Sequence, residues 1–313
     1  DSLGTFVAMD ILEPLGNLVD ESVWADYLPL TVDAGQIGGT QYLLPVYFET
    51  LLFLYNRDMW QGEVPATTEE LYEYMVANTD TAAGTYAVVN QHSTSYNVSP
   101  FIYGFGGYIL DAEGNPGLND PKTIEAVEYN KKFADLEADG DYNTVTTLFN
   151  EGKAAAIIGG PWLVPGIRAA GIDLGVASLS DMTLPNGSPL APFSGVQGIG
   201  VMKAAAETNG GAIALALEAL ASPEVGIALA KAGGCAPANS LSYEDADVAA
   251  DEIIAAIERT AETAKPMPNA AEMNVMWGPV DSMLAAVNKS GQDAASAAEE
   301  AQAAALQAIA DMQ

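Results

Sequence analysis

The stretch Leu44-Pro45-Val46-Tyr47-Phe48-Glu49-Thr50-Leu51-Leu52-Phe53-Leu54-Tyr55-Asn56-Arg57-Asp58 decides how this chain is read. Its apolar residues fall in two short runs rich in strand formers, residues 42–47 and 51–55, which predicts two strands in close succession. Side chains alternate across a strand, so Tyr47 and Glu49, two apart, point the same way.

Outward from that stretch, strands alternate with helices. A Pro-bearing turn at residues 62–65 leads to Thr67 or Thr68 as the cap of a helix that opens with Glu69-Glu70. Residues 86–89 read as a buried strand. Pro121 takes the first position of a helix that runs to about Ala138. A strand at 154–158 then turns through Gly159-Gly160-Pro161-Trp162 into a helix, and residues 174–177 and 199–202 are further strands. From Gly210 the pattern is mostly helical. Asn209-Gly210-Gly211 breaks the chain, Ser222-Pro223-Glu224 opens a helix, and an Ala-rich surface helix without heptads starts near Asp293. The alternation predicts an α/β fold with mostly parallel sheets flanked by helices.

The chain has 313 residues, 49 % of them apolar. That suits about two domains of roughly 150 residues, each with a core. There are 42 acidic and 11 basic side chains, a net charge of −31. Phosphate neutralisation needs clustered Lys and Arg, so nucleic acid is excluded as a partner, and docking on an anionic membrane is disfavoured for the same reason. Such acidity fits either a saline habitat or an acidic secreted protein. No stretch reaches the roughly 18 apolar residues of a membrane span. Cys235, the one cysteine, has no internal partner and reads as a small residue at a helix end.

Catalytic sets are missing. Gly104-Phe105-Gly106-Gly107 is too short for a phosphate loop and no Lys follows it. No Gly-x-Ser-x-Gly elbow occurs. His92 is the single histidine, so no histidine metal cluster forms, and its place in Asn90-Gln91-His92-Ser93 suits a loop-end residue with a satisfied ring. The expectation is no enzyme, no metal and no cofactor. Carboxylates are too many to single out a hydrolytic pair.

The aromatic residues suggest a different chemistry. Trp162 stands at the start of a predicted helix, Tyr96 in the polar loop Ser93-Thr94-Ser95-Tyr96-Asn97, and Trp277 at the start of another helix. A flat ring matches the C–H face of a pyranose, and carboxylates and amides accept or orient its hydroxyls. No spacing rule joins Tyr47, Glu49, Tyr96, Trp162 and Trp277, and aromatic residues are more often core.

Residues 44–58 resemble the crossover segment of the family 1 solute-binding proteins, the maltose-binding group, in which Pro, then a carboxylate, then Tyr-Asn-Lys/Arg-Asp is typical. The resemblance continues in order through Gly106-Gly107-Tyr108, residues 149–155, Gly160-Pro161-Trp162, residues 192–196, Met267-Pro268-Asn269, Met273 and Trp277. It implies two α/β lobes with ligand in the cleft between them. The lobes would be residues 1–48 with 197–252, and 49–196 with 253–313. It also implies Glu49 and Asp1 as hydroxyl contacts, Tyr96, Trp162 and Trp277 as stacking residues, and Tyr47 and Asn97 beside them. Ser2, Gly278 and Asp281 depart from the maltose binders, so a different saccharide fits as well. The family begins with roughly 60 more residues that supply the first strands of lobe one, and a parallel sheet needs its central strands to bury both faces. Those residues are expected elsewhere in the protein or on another chain.

The function so implied is that of a monomeric, extracytoplasmic, non-catalytic binding protein, periplasmic or held at the cell surface by a lipid anchor on its precursor. It would close on a sugar or oligosaccharide and hand it to an ABC permease. The same fold binding a polyamine or osmolyte, and a glycoside hydrolase, are the alternatives.

Overall fold

Thr50 is where the chain first changes body. A computed structural model describes residues 2–312, and they form two compact units. The first unit comprises the chain up to Glu49, Ser194–Glu258 and Pro266–Asn274. The second comprises Thr50–Phe193, Arg259–Lys265 and the chain from Val275 onward.

In the first unit, the strand Leu43–Thr50 lies between Phe193–Gly200 and the short strand Ala236–Pro237, with Lys265–Pro266 at the far edge of the sheet. The pairing with Ala236–Pro237 is antiparallel, Tyr47 facing Pro237 and Phe48 facing Ala236. Leu15, Tyr27, Leu44, Val201, Leu217, Ala221 and Ala238 form the core. The break predicted at residues 209–211 is a kink inside one helix, Lys203–Leu220, with Asn209 off helical geometry. The next helix, Pro223–Gly233, is bent 60° from it and ends on Gly234 at φ 68°, a left-handed cap that glycine adopts without strain. No single described helix is long and apolar enough to cross a membrane.

In the second unit the strand order is Tyr86–Val89, Ala154–Gly159, Leu52–Asn56, Leu174–Ala177. Only the first pair is parallel; Leu52–Asn56 runs antiparallel to both neighbours. The expectation of mostly parallel sheets is therefore corrected. Leu52–Asn56 follows Leu43–Thr50 after a single residue, with no crossover helix to set its direction, so the rule that makes βαβ strands parallel does not act on it. Every residue of Ala154–Gly159 is buried, as an inner strand covered on both faces should be.

The predicted helix signals are used as written. Thr67 accepts from the Glu70 amide while the Glu70 carboxylate accepts from the Thr67 amide, a complete capping box for Thr68–Asn78. Pro121–Phe133 passes into a wider turn, Ala134–Ala138, in which Glu137 has φ 58°. Asp293 caps Ala294–Ala310. Alanines 294, 297, 298, 301 and 305 of that helix form a buried stripe at helical spacing, packed on Trp277–Ser290 and Pro121–Phe133.

The unit boundaries differ from the expected lobes at four places, one of them residues 194–196, which join the first unit. Residues 253–258 begin in the first unit because Ile253 packs over Gly234. Residues 266–274 return to it because Asn269 Nδ2 donates to the carbonyls of Ala34 (3.1 Å) and Gln36 (3.0 Å), and Asn274 Nδ2 donates to Thr5 Oγ1. Glu49 also belongs to the first unit, through Gln197.

Candidate functional site

The second unit gathers its aromatic residues around Phe193. This ring is fully buried, with Tyr103 at 5.0 Å, Tyr96 at 6.2 Å and Trp277 edge-on at 6.2 Å between centroids. Tyr96 in turn lies 6.1 Å from Trp162. Three aromatic residues named from the sequence are thus joined into one row, Trp162–Tyr96–Phe193–Trp277, by a residue whose role sequence reasoning missed. Tyr96 and Trp277 are half-buried and Trp162 is 39 % exposed, so their faces are partly open to solvent.

Local structure fixes each ring. Trp162 follows the inner strand Ala154–Gly159 on a short helical turn, Pro161–Leu163. Its six-membered ring lies against Gly160, where a Cβ would overlap it. Gly160→Ala is therefore expected to dislodge the ring. The measurable result is several-fold weaker saccharide binding and altered tryptophan emission, with the circular dichroism spectrum unchanged.

Tyr96 is in the first turn of the helix Ser95–Gly104, not in the loop expected for it. Pro100 hides this helix from a sequence reading, because proline has no N–H for the carbonyl of Tyr96. Ser99 Oγ donates to that carbonyl instead, at 2.7 Å. The same hydroxyl accepts from the Phe193 amide at 3.2 Å, and Thr50 Oγ1 donates to the Phe193 carbonyl at 2.8 Å. Phe193 is thereby held by both ends of its peptide. The Ser95 amide donates to Asp281 Oδ1 at 2.7 Å, which ties the Tyr96 helix to the helix Trp277–Ser290. Asp281, noted above only as a departure, braces two of the rings, and its charge suits a helix N-terminus.

Asn97 is turned inward. It is buried, its Nδ2 donates to Asn90 Oδ1 at 3.0 Å, and its Oδ1 accepts from Gln91 Nε2 at 3.4 Å. Its amide supports the Tyr96 helix rather than the open aromatic face. Asp1 lies outside the described residues. His92 is buried, with Nδ1 2.7 Å from Asn130 Oδ1 and its ring stacked on Phe133. Burial holds it below the usual imidazole range. Its Nδ1 partner is an amide rather than the carboxylate of a serine triad.

The first unit carries the carboxylate. Tyr47 and Glu49 share one face of the strand Leu43–Thr50, and both are half-buried. Gln197 Nε2 donates to Glu49 Oε1 at 3.0 Å. Continuing the register of Phe48 with Ala236 sets Cys235 opposite Glu49. Burial raises the Glu49 carboxyl above its usual range, and the bond from Gln197 opposes the shift. Burial and the field of Glu49 raise the Cys235 thiol and, in the same order, the Tyr47 phenol. Among the described residues no cluster of three or more His, Cys, Asp or Glu is arranged to hold a metal.

Partly open aromatic faces suit the C–H face of a sugar ring, and a carboxylate bonded to an amide suits hydroxyl groups. Residues 1–256 match the bacterial extracellular solute-binding protein family. This chain belongs to that family. The solute-binding protein is 29 % identical to a maltotriose-binding protein of Pyrococcus abyssi, over 91 % of this chain and 63 % of the relative. It is 30 % identical to a galactooligosaccharide-binding protein of Bacillus subtilis, over 96 % of this chain and 73 % of that one. The chain thus spans less than two thirds of the Pyrococcus relative. Among solved structures, a cyclo/maltodextrin-binding protein complexed with maltotetraose superposes with a TM-score of 0.86 at 27 % identity, over 98 % of this chain and 80 % of that one. A maltose/maltodextrin-binding domain from Bdellovibrio bacteriovorus bound to maltotriose gives 0.87 at 26 %, over 98 % and 82 %. The two α/β units of the solute-binding protein are the fold of this group.

Proposed function

We propose that this protein is the solute-binding component of an ABC importer. Outside the cytoplasm it binds a sugar or oligosaccharide of the maltodextrin type and passes it unaltered to a membrane permease. The observation that carries the reading is the row Trp162–Tyr96–Phe193–Trp277, which presents partly open aromatic faces on a rigid buried support. Glu49 and Tyr47 are the hydroxyl contacts in the first unit, and Asp1 is proposed with them. The names of the relatives support a saccharide over a polyamine. So does the site, where Glu49 is the carboxylate beside Tyr47, while a polycation calls for several.

The protein is proposed not to be an enzyme. A glycosidase sets two carboxyl groups close enough to act on one sugar bond. Glu49 is bonded by the Gln197 amide, and burial raises its carboxyl above the usual range.

A thermal-shift screen tests this at low and at molar salt. Maltotriose, longer maltodextrins, galactooligosaccharides and spermidine are the ligands. A ligand at about 100 times its Kd adds about 2.7 kcal/mol of stability, which raises Tm by several degrees. A saccharide is expected to give this shift. Stabilisation by spermidine and by no saccharide would refute the reading.

A further inference from the structure

Gln197 does more at this sheet than fill a strand position. It lies on Phe193–Gly200, beside Leu43–Thr50, and its side chain is exposed. It contributes nothing to the core, yet its Nε2 donates to Glu49 Oε1 at 3.0 Å, across 148 residues of sequence. Glu49 also packs beside Gly195 on the same strand, where a Cβ would stand 3.9 Å from Glu49 Cγ. The carboxylate is therefore seated against this strand, one oxygen held by the amide.

Burial works against the ionised form of Glu49, and a hydrogen bond to the carboxylate works for it. Among the described residues, the titratable groups that sense Glu49 are Tyr47 on its own strand and Cys235 on the chain paired with it. Both are neutral near pH 7, because burial raises each from a value already above 7. Among the described residues, the one hydrogen bond given to the Glu49 carboxylate comes from Gln197. Gln197 is the neighbour that favours the charged acceptor.

We propose that Gln197 is a positioning residue. It orients Glu49 by holding Oε1, so that Oε2 accepts from a ligand hydroxyl. The proposal rests on the reading of Glu49 as a ligand contact. It goes beyond that reading by naming the residue that sets the acid limit of binding.

The test titrates the Glu49 carboxyl by 13C NMR and measures the Kd for maltotriose across pH. The proteins compared are the wild type, Gln197→Leu and Gln197→Lys. Gln197 is exposed, so both variants are expected to fold. In Gln197→Leu the Glu49 titration moves to higher pH and the acid limb of binding moves with it. Affinity at neutral pH falls about tenfold or more, the effect of losing one hydrogen bond to a charged group. In Gln197→Lys, which keeps a donor and adds a charge, titration and acid limb both move to lower pH. A structural role alone would move neither. An unmoved Glu49 titration in Gln197→Leu overturns the positioning role and leaves the saccharide reading intact. A titration that moves while affinity holds at every pH overturns the positioning role together with the place of Glu49 in the site.

Discussion

Replacing Trp162 by alanine is expected to weaken saccharide binding tenfold or more and leave the fold intact. Trp162 is 39 % exposed, the most open ring of the aromatic row. A tryptophan side chain offers about 150–250 Å² of surface, so this leaves about 60–100 Å² for a ligand to cover. At about 25 cal/mol per Å² that is worth about 1.5–2.5 kcal/mol, and about 1.4 kcal/mol is a factor of ten in Kd. An exposed side chain supports little of the core, so Tm should move by a few degrees at most. Titration of the variant with maltotriose checks this. An affinity equal to that of the wild type removes Trp162 from the site.

Phe193→Ala is the opposite case, a change that acts first on stability. The ring is fully buried and touches Tyr96, Tyr103 and Trp277. Removing a buried phenylalanine costs about 3–5 kcal/mol, part lost transfer energy and part cavity. Here the cavity opens directly behind two of the proposed stacking rings. Urea denaturation is expected to show a loss in that range for the second unit, with Tyr96 and Trp277 freed from their support. Phe193→Leu refills most of the volume and is expected to cost under about 1.5 kcal/mol. It keeps the backing but loses the edge-on contact to Trp277, so its affinity should fall between the wild type and the alanine variant. A loss below about 1 kcal/mol for Phe193→Ala would show that the row does not depend on this ring.

Much of the fold was legible because it is written in local signals. Thr67 with Glu70, Pro121, Asp293 and the all-apolar run at 154–159 each specify their element through caps and burial alone. Strand direction is different. Alternation and apolarity mark Leu52–Asn56 as a strand, but its antiparallel pairing comes from its direct connection to the other unit, a property of topology. The helix at Tyr96 was obscured by Pro100, and only the packed structure shows that Ser99 takes over the orphaned carbonyl.

The site divides in the same way. The residue types that suit a sugar could be named one at a time, since ring faces and carboxylates carry their chemistry with them. Their assembly could not, because Phe193 joins Tyr96 and Trp277 from distant parts of the chain, and Gln197 reaches Glu49 from another strand. Asn97 shows the converse. A polar residue next to a proposed stacking residue looks like a ligand contact until burial and two amide partners show it bracing a helix.

The central claim is that this protein binds an oligosaccharide and does not cleave it. Isothermal titration with maltotriose, followed by chromatography of the recovered sugar, tests it most directly. The account predicts a saturable, one-to-one heat of binding and maltotriose recovered intact. Glucose or maltose among the products, or no binding by maltotriose or any other saccharide of the panel, would contradict it.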